Sequence, residues 1–417
     1  MKPEDFLKLK YKPTSKDLVC LFRVEPNKIS MKKAAATVAL ESSIGTWTDV
    51  HEKDYVRKLS AKVFSIKGNQ IKIAYPEELF EKGNVPNILS SIAGNIFGMK
   101  AVKNLRLEDI KFPKNLLNSF QGPKYGISGI RKLMKIKSRP LVGTIVKPKL
   151  GLNTKDHVEV ASQAWLGGCD LIKDDENLSS QKFNDFETRL ARTLEAANKA
   201  EQQTGEKKAY LVNITAETKE MMQRAQLVED IGGKYVMIDV VTAGFSALQT
   251  LREANFKMAI HAHRAMHAAF TRNLKHGISM FVLADLARLI GVDQLHIGTA
   301  IGKLEGDIRL VSELNDEIER KFVKETKNRL GQDWEKIKSV LSVNSGGLHP
   351  GHIPFLVKHL GKDIVLQFGG GIHGHPKGTL RGAIAARQAL QSVLEKVPIK
   401  QYAKNHIELK EALEFWK

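Results

Sequence analysis

The sequence predicts an α/β protein: a closed (β/α)8 barrel, the TIM-barrel architecture, preceded by a smaller α+β domain. Two observations carry this. Eight short apolar segments, at 141–149, 171–176, 209–215, 235–241, 257–263, 294–299, 341–347 and 364–371, each end near residues that bind phosphate, ligate a metal or move a proton. Helix-like sequence lies between most of them, at 155–166, 183–203, 217–231, 279–290, 309–324 and 378–395. A strand–helix unit repeated eight times in roughly 250 residues closes into a parallel barrel, whose catalytic groups gather at the carboxyl ends of the strands. An open doubly wound sheet is the alternative, but the first βα turn lacks its Gly-rich dinucleotide fingerprint. The chain is therefore read as an enzyme.

Residues 1–122 have a different rhythm. Strands are expected at 18–24, 63–66 and 70–74, the last two joined by the hairpin-type turn Lys67-Gly68-Asn69. Helices or their ends are expected at 31–40 and 88–97. Mixed elements without a βα rhythm indicate an α+β domain. Pro113, Gly122 and Pro123 punctuate the boundary, leaving 123–417 for the barrel and a short C-terminal helical tail.

With 417 residues, 42% hydrophobic and 27% charged, the chain can fill a large core. No apolar run reaches the 18 or so residues that cross a bilayer. Residues 1–16 lack the apolar stretch of a secretory signal, and the two cysteines, Cys20 and Cys169, are far apart. A cytoplasmic protein without membrane attachment is the expectation. The net charge is +19. Residues 100–139 hold eleven Lys or Arg against Glu108 and Asp109. Such a stretch can be a solvated surface, a device that steers an anionic substrate, or a nucleic-acid contact. It has no nucleic-acid motif or interleaved aromatics, so no nucleic-acid partner is expected.

The strand ends supply the chemistry. Lys147 and Lys149 lie two apart at the end of the first, and residues i and i+2 of a strand point to the same side. Pressed together, two ammonium groups depress each other's pKa and suit one to proton transfer. After the second, Asp175 and Glu176 are hard oxygen ligands suited to Mg²⁺. Lys173 beside them repels a cation unless CO₂ converts its amine to a carbamate. After the fifth come His261, His263, Arg264 and His267. A zinc site is disfavoured because Arg264 puts a fixed charge among the candidate ligands; phosphate binding and proton transfer fit better. One or two of these histidines can equally be buried and hydrogen-bonded. His296 and the glycine-flanked Lys303 follow the sixth, a pattern for a hinged loop carrying a cation. Ser345-Gly346-Gly347 and Gly369-Gly370-Gly371 close the seventh and eighth, where backbone N–H groups can cradle phosphate.

In this order the motifs GTWT (45–48), GNIFG (94–98), KPKLG (147–151), KDDE (173–176), HAHRAMHA (261–268), GKLEG (302–306), SGG (345–347) and FGGG (368–371) resemble the large subunit of ribulose-1,5-bisphosphate carboxylase/oxygenase, RuBisCO. The resemblance spans roughly 40–382. It implies that Lys173, as a carbamate, holds Mg²⁺ with Asp175 and Glu176. It makes Lys147 the acid that protonates the carbanion left after carbon–carbon cleavage, with Lys149 beside it. Asn95 would contact the metal-bound substrate region, Glu41 would position Lys303, and His263 would join proton transfer. Arg264, His296 and Ser345 would hold one phosphate, and Gly346 would also contact the substrate. Thr46, Trp47, Gly347, Gly369, Gly370 and Lys303 would hold the other. The implied substrates are ribulose 1,5-bisphosphate with CO₂, or O₂ in a side reaction. Because Glu41, Thr46, Trp47 and Asn95 come from a neighbouring subunit in that family, a homodimer is the smallest complete catalyst.

Departures from the plant-type pattern include Ile44 in place of a small hydroxyl residue, Leu348-His349-Pro350-Gly351-His352 after the SGG turn, and a short C-terminus. They look more like the archaeal form III, which works without small subunits and is associated with ribose salvage from AMP. A RuBisCO-like enolase or isomerase acting on another sugar phosphate, and a basic binding protein with a degenerate barrel, are the competing readings. Retention of Glu41, Asn95, Lys147, Lys173, His263, His296, Lys303 and Ser345 weighs against the first, and salt-sensitive binding without sugar-phosphate turnover would mark the second.

Overall fold

The computed structural model describes residues 2–416 apart from 47, 49–52 and 303–306, so Trp47 and Lys303 lie outside the described residues. Two compact units emerge, one of 1–122 with 266–291 and 320–338, the other of 123–265, 292–319 and 339–417.

Strands β1 (Asp17–Pro26), β2 (Lys62–Lys67), β3 (Gln70–Pro76) and β4 (Val102–Lys111) belong to the first unit. The second contains β5 (Leu141–Ile145), β6 (Leu171–Lys173), β7 (Ala209–Asn213), β8 (Tyr235–Asp239) and β9 (Ala259–His263). The short β10 (Gly277–Ile278) returns to the first unit, and β11 (Gln294–His296) to the second. Next come the two-residue pair β12 (Phe322–Val323) and β13 (Gln332–Asp333), then β14 (Leu341–Ser345) and β15 (Ile364–Phe368).

In the first unit the sheet order is β10-β4-β1-β3-β2. β2 and β3 form the expected hairpin, with Gly68 at φ +59° in its turn, a conformation glycine adopts without a Cβ penalty. Helix Met31–Glu41 is capped by Ser30, whose side chain accepts from Lys33 N, and buries a run of alanines together with Val38 and Leu40. β4 escaped the sequence reading because Arg106, Glu108 and Asp109 interrupt its apolar pattern. These three charges are buried, not solvated. Glu108 lies 2.7 Å from Arg23 Nε and 3.1 Å from Arg106 Nε, and Arg106 also donates to Asn273 O and Thr271 O. Part of the basic stretch is therefore internal wiring. Arg139 adds to this with two bonds to Asp170, at 2.6 and 2.7 Å.

In the second unit the eight strands form a closed parallel barrel in the order β11-β14-β15-β5-β6-β7-β8-β9. All eight apolar segments read from the sequence are its strands. The floor is made by Leu141, Leu171, Ala209, Tyr235, Ala259 and Leu341, all at strand starts, packed against Ile130 and Met134 of helix Gly126–Met134. Burying each large apolar side chain contributes roughly 1.5–3 kcal/mol. With the floor closed, the polar strand ends are left to the opposite mouth. Helices Phe245–Glu253 and Ile353–Leu360, short and following glycine- or proline-rich turns, complete the set the sequence left open. Among the described residues no helix is long and apolar enough to cross a membrane.

Candidate active site

The second strand places its lysine by register. β6 ends at Lys173, whose side chain is fully buried, and the chain leaves the strand through Asp174, Asp175 and Glu176. Lys173 Nζ donates to Asp174 O at 2.7 Å and lies 3.3 Å from Glu176 Oε2. Burial alone would raise the Glu176 carboxyl, but the charges of Lys173 and His263 outweigh it and hold the group at about 2. Asp175 is also buried and takes a 2.7 Å contact from Lys147 Nζ. Two carboxylates thus converge on two ammonium groups in a small space.

Asp174, between the candidate ligands, turns the other way. It accepts from Tyr210 Oη at 2.6 Å, Asn213 N at 3.0 Å and Arg189 Nε at 3.3 Å. Burial opposes its charge, yet the Arg189 guanidinium prevails and holds the carboxyl well below the usual range. Arg189 spends its remaining donors on Asn184 O and Ser179 O, and Asn213 Nδ2 donates to Leu178 O at 2.9 Å. The loop carrying Asp175 and Glu176 is therefore tied down on the side facing away from the mouth. Asn213 and Asp174 were not singled out from the sequence, although Asn213 ends the third strand, where the strand-end rule points.

The expectation that Lys147 and Lys149 share a strand face fails. β5 stops at Ile145, and the two lysines follow it in an irregular turn. Lys147 meets Asp175, while the exposed Lys149 reaches Asn177 Oδ1 at 3.4 Å. They take separate partners instead of pressing on each other.

Opposite them stand the histidines. His263 Nε2 lies 3.7 Å from Glu176 Oε2, and its Nδ1 lies 3.3 Å from Asp239 Oδ1. Asp239, at the end of β8, is a member the sequence reading passed over; it also accepts from Ala265 N at 2.6 Å. His261 is one of the buried, hydrogen-bonded histidines allowed for above. Its ring touches Gln294 Oε1 at 2.7 Å and His296 Nε2 at 2.8 Å, and burial pushes it down to about 3. His296 meets Ser345 Oγ at 2.9 Å and is pushed well down by burial and then by the charge of His263. Half-buried Arg264 has no hydrogen-bond or ion-pair partner among the described residues, and burial lowers its guanidinium to about 10. An unpaired guanidinium beside neutral histidines is a ready anion site.

Glycines shape the wall around it. Gly298, at φ +87°, lets the backbone pass so close that a Cβ there would sit 2.5 Å from Arg264 Nη2. A Cβ at Gly302 would lie 2.6 Å from Gly346 O, and one at Gly369 would lie 3.5 Å from Lys147 Cε. Gly346 and Gly347 both have positive φ, at +125° and +73°. Within the second unit, then, Lys147, Lys173, Asp175, Glu176, His263, Arg264, His296, Ser345 and the glycine turns after β14 and β15 share the barrel mouth. Glu41 ends helix Met31–Glu41, Thr46 follows it, and Asn95 opens the 3-10 turn Asn95–Gly98; all three belong to the first unit. His267 also falls in that unit and bonds Thr271 Oγ1.

Among the described residues no three of His, Cys, Asp and Glu are grouped as a metal site. The donor set still fits a hard divalent ion once Lys173 carries a carbamate, since two acids and that carbamate supply three anionic oxygens at one strand end.

A (β/α)8 barrel whose mouth collects acids, a buried lysine, neutral histidines and an unpaired arginine defines an enzyme of the barrel class with its site at the strand ends. The chain belongs to the ribulose bisphosphate carboxylase large-chain family. Its residues 126–416 match the catalytic domain of that large chain and residues 5–116 match the N-terminal domain. It is 51% identical to the ribulose bisphosphate carboxylase of Methanosarcina mazei over 422 residues, covering 99% of both chains. The Methanocaldococcus jannaschii protein of the same name is also 51% identical, covering 99% of this chain and 100% of that one. Among solved structures, the dimeric archaeal Rubisco from Hyperthermus butylicus superposes with a TM-score of 0.94 at 45% identity, covering 99% of both chains. The octameric Pyrococcus horikoshii enzyme, solved with sulfate ion, gives 0.93 at 45%, covering 99% of this chain and 96% of that one. The family read from the motifs is thus the family the comparisons give.

Proposed function

We propose that this protein carboxylates ribulose 1,5-bisphosphate, adding CO₂ and water to give two molecules of 3-phosphoglycerate. The observation that carries the reading is the fully buried Lys173 amine at the end of the second barrel strand, 3.3 Å from Glu176 Oε2 and followed two residues on by the buried Asp175. Loss of the ammonium proton leaves a neutral amine, and its reaction with CO₂ forms a carbamate and releases a second proton, so that the side chain changes from cation to anion. Lys173, Asp175 and Glu176 would then hold Mg²⁺, which supplies Lewis-acid polarisation of the substrate ketone.

The remaining steps belong to the side chains. Lys173, once a carbamate, would accept the proton from the carbon next to the ketone, and the resulting enediolate would attack CO₂. Hydration and carbon–carbon cleavage leave a carbanion, and Lys147 Nζ returns a proton to it. His263, bracketed by Glu176 and Asp239, moves protons during hydration. Arg264 and Ser345 anchor one phosphate, and Gly347, Gly369 and Gly370 the other. Binding energy at two remote ends orients the reacting carbons. Lys149 stands beside Lys147 in the sequence as a further substrate contact; Lys303, which follows the sixth strand in the sequence, adds a cation to the carboxylate being formed. Oxygen attacking the same enediolate gives the side reaction.

A second copy of the chain supplies Glu41, Thr46, Trp47 and Asn95, so the working unit is a homodimer or an assembly of dimers without small subunits. The form III type and the consumption of ribose from AMP belong to the same reading. Incubation with ¹⁴CO₂, Mg²⁺ and ribulose 1,5-bisphosphate should yield acid-stable label in 3-phosphoglycerate. No such product across a wide range of assay temperatures refutes the proposal.

A further inference from the structure

Four side chains form an unbroken buried line from the barrel interior to the phosphate end of the site. Gln294 Oε1 lies 2.7 Å from His261 Nδ1, His261 Nε2 lies 2.8 Å from His296 Nε2, and His296 Nδ1 lies 2.9 Å from Ser345 Oγ. The fold dictates this line. Gln294 and His261 are register partners on β11 and β9, and His296 follows Gln294 by two residues, on the same face of β11. Gln294 and His261 are fully buried, and His296 is nearly so.

A neutral imidazole has one N–H and one acceptor nitrogen. Only one of the two facing Nε2 atoms can carry a proton, so the line has two arrangements. In the inward one, Ser345 donates to His296, His296 to His261, and His261 Nδ1–H to the Gln294 oxygen. The serine proton is then committed, and the hydroxyl shows only lone pairs to an anion. In the outward one, the Gln294 amide is turned so that its nitrogen donates to His261 Nδ1. His261 Nε2–H then donates to His296, His296 Nδ1–H donates to Ser345, and the serine proton is free for a phosphate oxygen.

The buried amide favours the outward arrangement. With its oxygen on His261, Gln294 leaves a buried Nε2 without any partner. Turning the amide puts an N–H to use and leaves a carbonyl oxygen short instead, which buried sites tolerate better. Both ring nitrogens of His296 are already engaged, so this histidine acts on an anion through Ser345. Burial keeps both rings neutral, as the line requires.

We propose that Gln294 is a positioning residue: its amide sets the direction of the hydrogen-bond line through His261 and His296 so that Ser345 donates to a substrate phosphate. The inference rests on the phosphate role given to Ser345 above.

Neutron diffraction from D₂O-exchanged crystals of the unmutated protein reads the direction outright. Deuterium on His261 Nε2 and His296 Nδ1 is expected; deuterium on His261 Nδ1 and His296 Nε2, or on all four nitrogens, overturns the proposal. Gln294→Glu, an acceptor at both oxygens, should reverse the line. The KM for ribulose 1,5-bisphosphate is then expected to rise about tenfold or more, with a smaller change in kcat. In a Ser345→Ala background the same substitution should add little further change. Equal effects of Gln294→Glu with and without Ser345, in folded protein, overturn the assignment and leave Gln294 a packing residue. If the unmutated protein does not turn over the bisphosphate at all, the carboxylase reading fails, and the neutron result still decides the direction of the line.

Discussion

Replacing Gly298 with alanine should weaken substrate binding by displacing one guanidinium. The new Cβ would stand 2.5 Å from Arg264 Nη2, well inside contact distance, and the arginine tip is the movable partner. Gly298 sits at φ +87°, so alanine also carries a backbone strain of about 1–2 kcal/mol. A hydrogen bond from a charged donor contributes about 1.5–3 kcal/mol, so its loss corresponds to a rise of roughly ten- to a hundredfold in KM for the bisphosphate. Gly244→Ala separates the two effects: Gly244 has φ +88°, but nothing lies within 4 Å of the added Cβ. Steady-state carboxylation over a range of bisphosphate concentrations, with urea unfolding of both variants, provides the comparison. Both should lose stability, and only Gly298→Ala should lose substrate affinity. An unchanged KM in folded Gly298→Ala, or an equal rise in Gly244→Ala, would refute the placement of Arg264 at the phosphate.

Mixing Lys173→Ala with Asn95→Ala, each inactive alone, should restore about a quarter of normal activity if subunits exchange randomly and sites are shared across a homodimer; zero recovery after verified exchange contradicts shared sites. Replacing Glu108 with alanine leaves Arg23 and Arg106 facing each other in the sheet of the first unit and should cost about 3–5 kcal/mol in urea unfolding. Asp185 caps helix Phe186–Thr204 through Thr188 N, and Asp185→Ala should cost about 1 kcal/mol. His373 donates to Ile145 O and burial lowers it from 6.5 to about 4. The unfolded chain binds the extra proton first, so this stabilising contribution is complete above pH 6.5 and is lost as pH falls towards 4. His373→Gln should flatten that part of the urea-midpoint profile, whereas an identical slope would exclude His373 as its source.

The barrel was legible because each of its strands is a short apolar run ending in a chemically marked residue, as Leu171-Ile172-Lys173 shows. Local pattern also revealed the hairpin around Gly68 and the helix start at Ser30. β4 was hidden because its buried charges find partners inside the fold, as Glu108 does in Arg23, 85 residues away in sequence. The paired-lysine argument failed because β5 ends two residues before Lys147, a boundary no alternation pattern marks. His261 and His296 were visible as candidates, but their line through Gln294 depends on the register of β9 and β11. The segments 266–291 and 320–338 join the first unit although they interrupt the barrel sequence, a long-range packing result that spacing does not encode.

The most direct test of the account is ¹³C NMR of the protein equilibrated with ¹³CO₂ and Mg²⁺. A carbamate resonance that appears in the unmutated protein and vanishes in Lys173→Ala is the predicted result. Its absence from protein that is folded and active in carboxylation would contradict the role given to the buried amine.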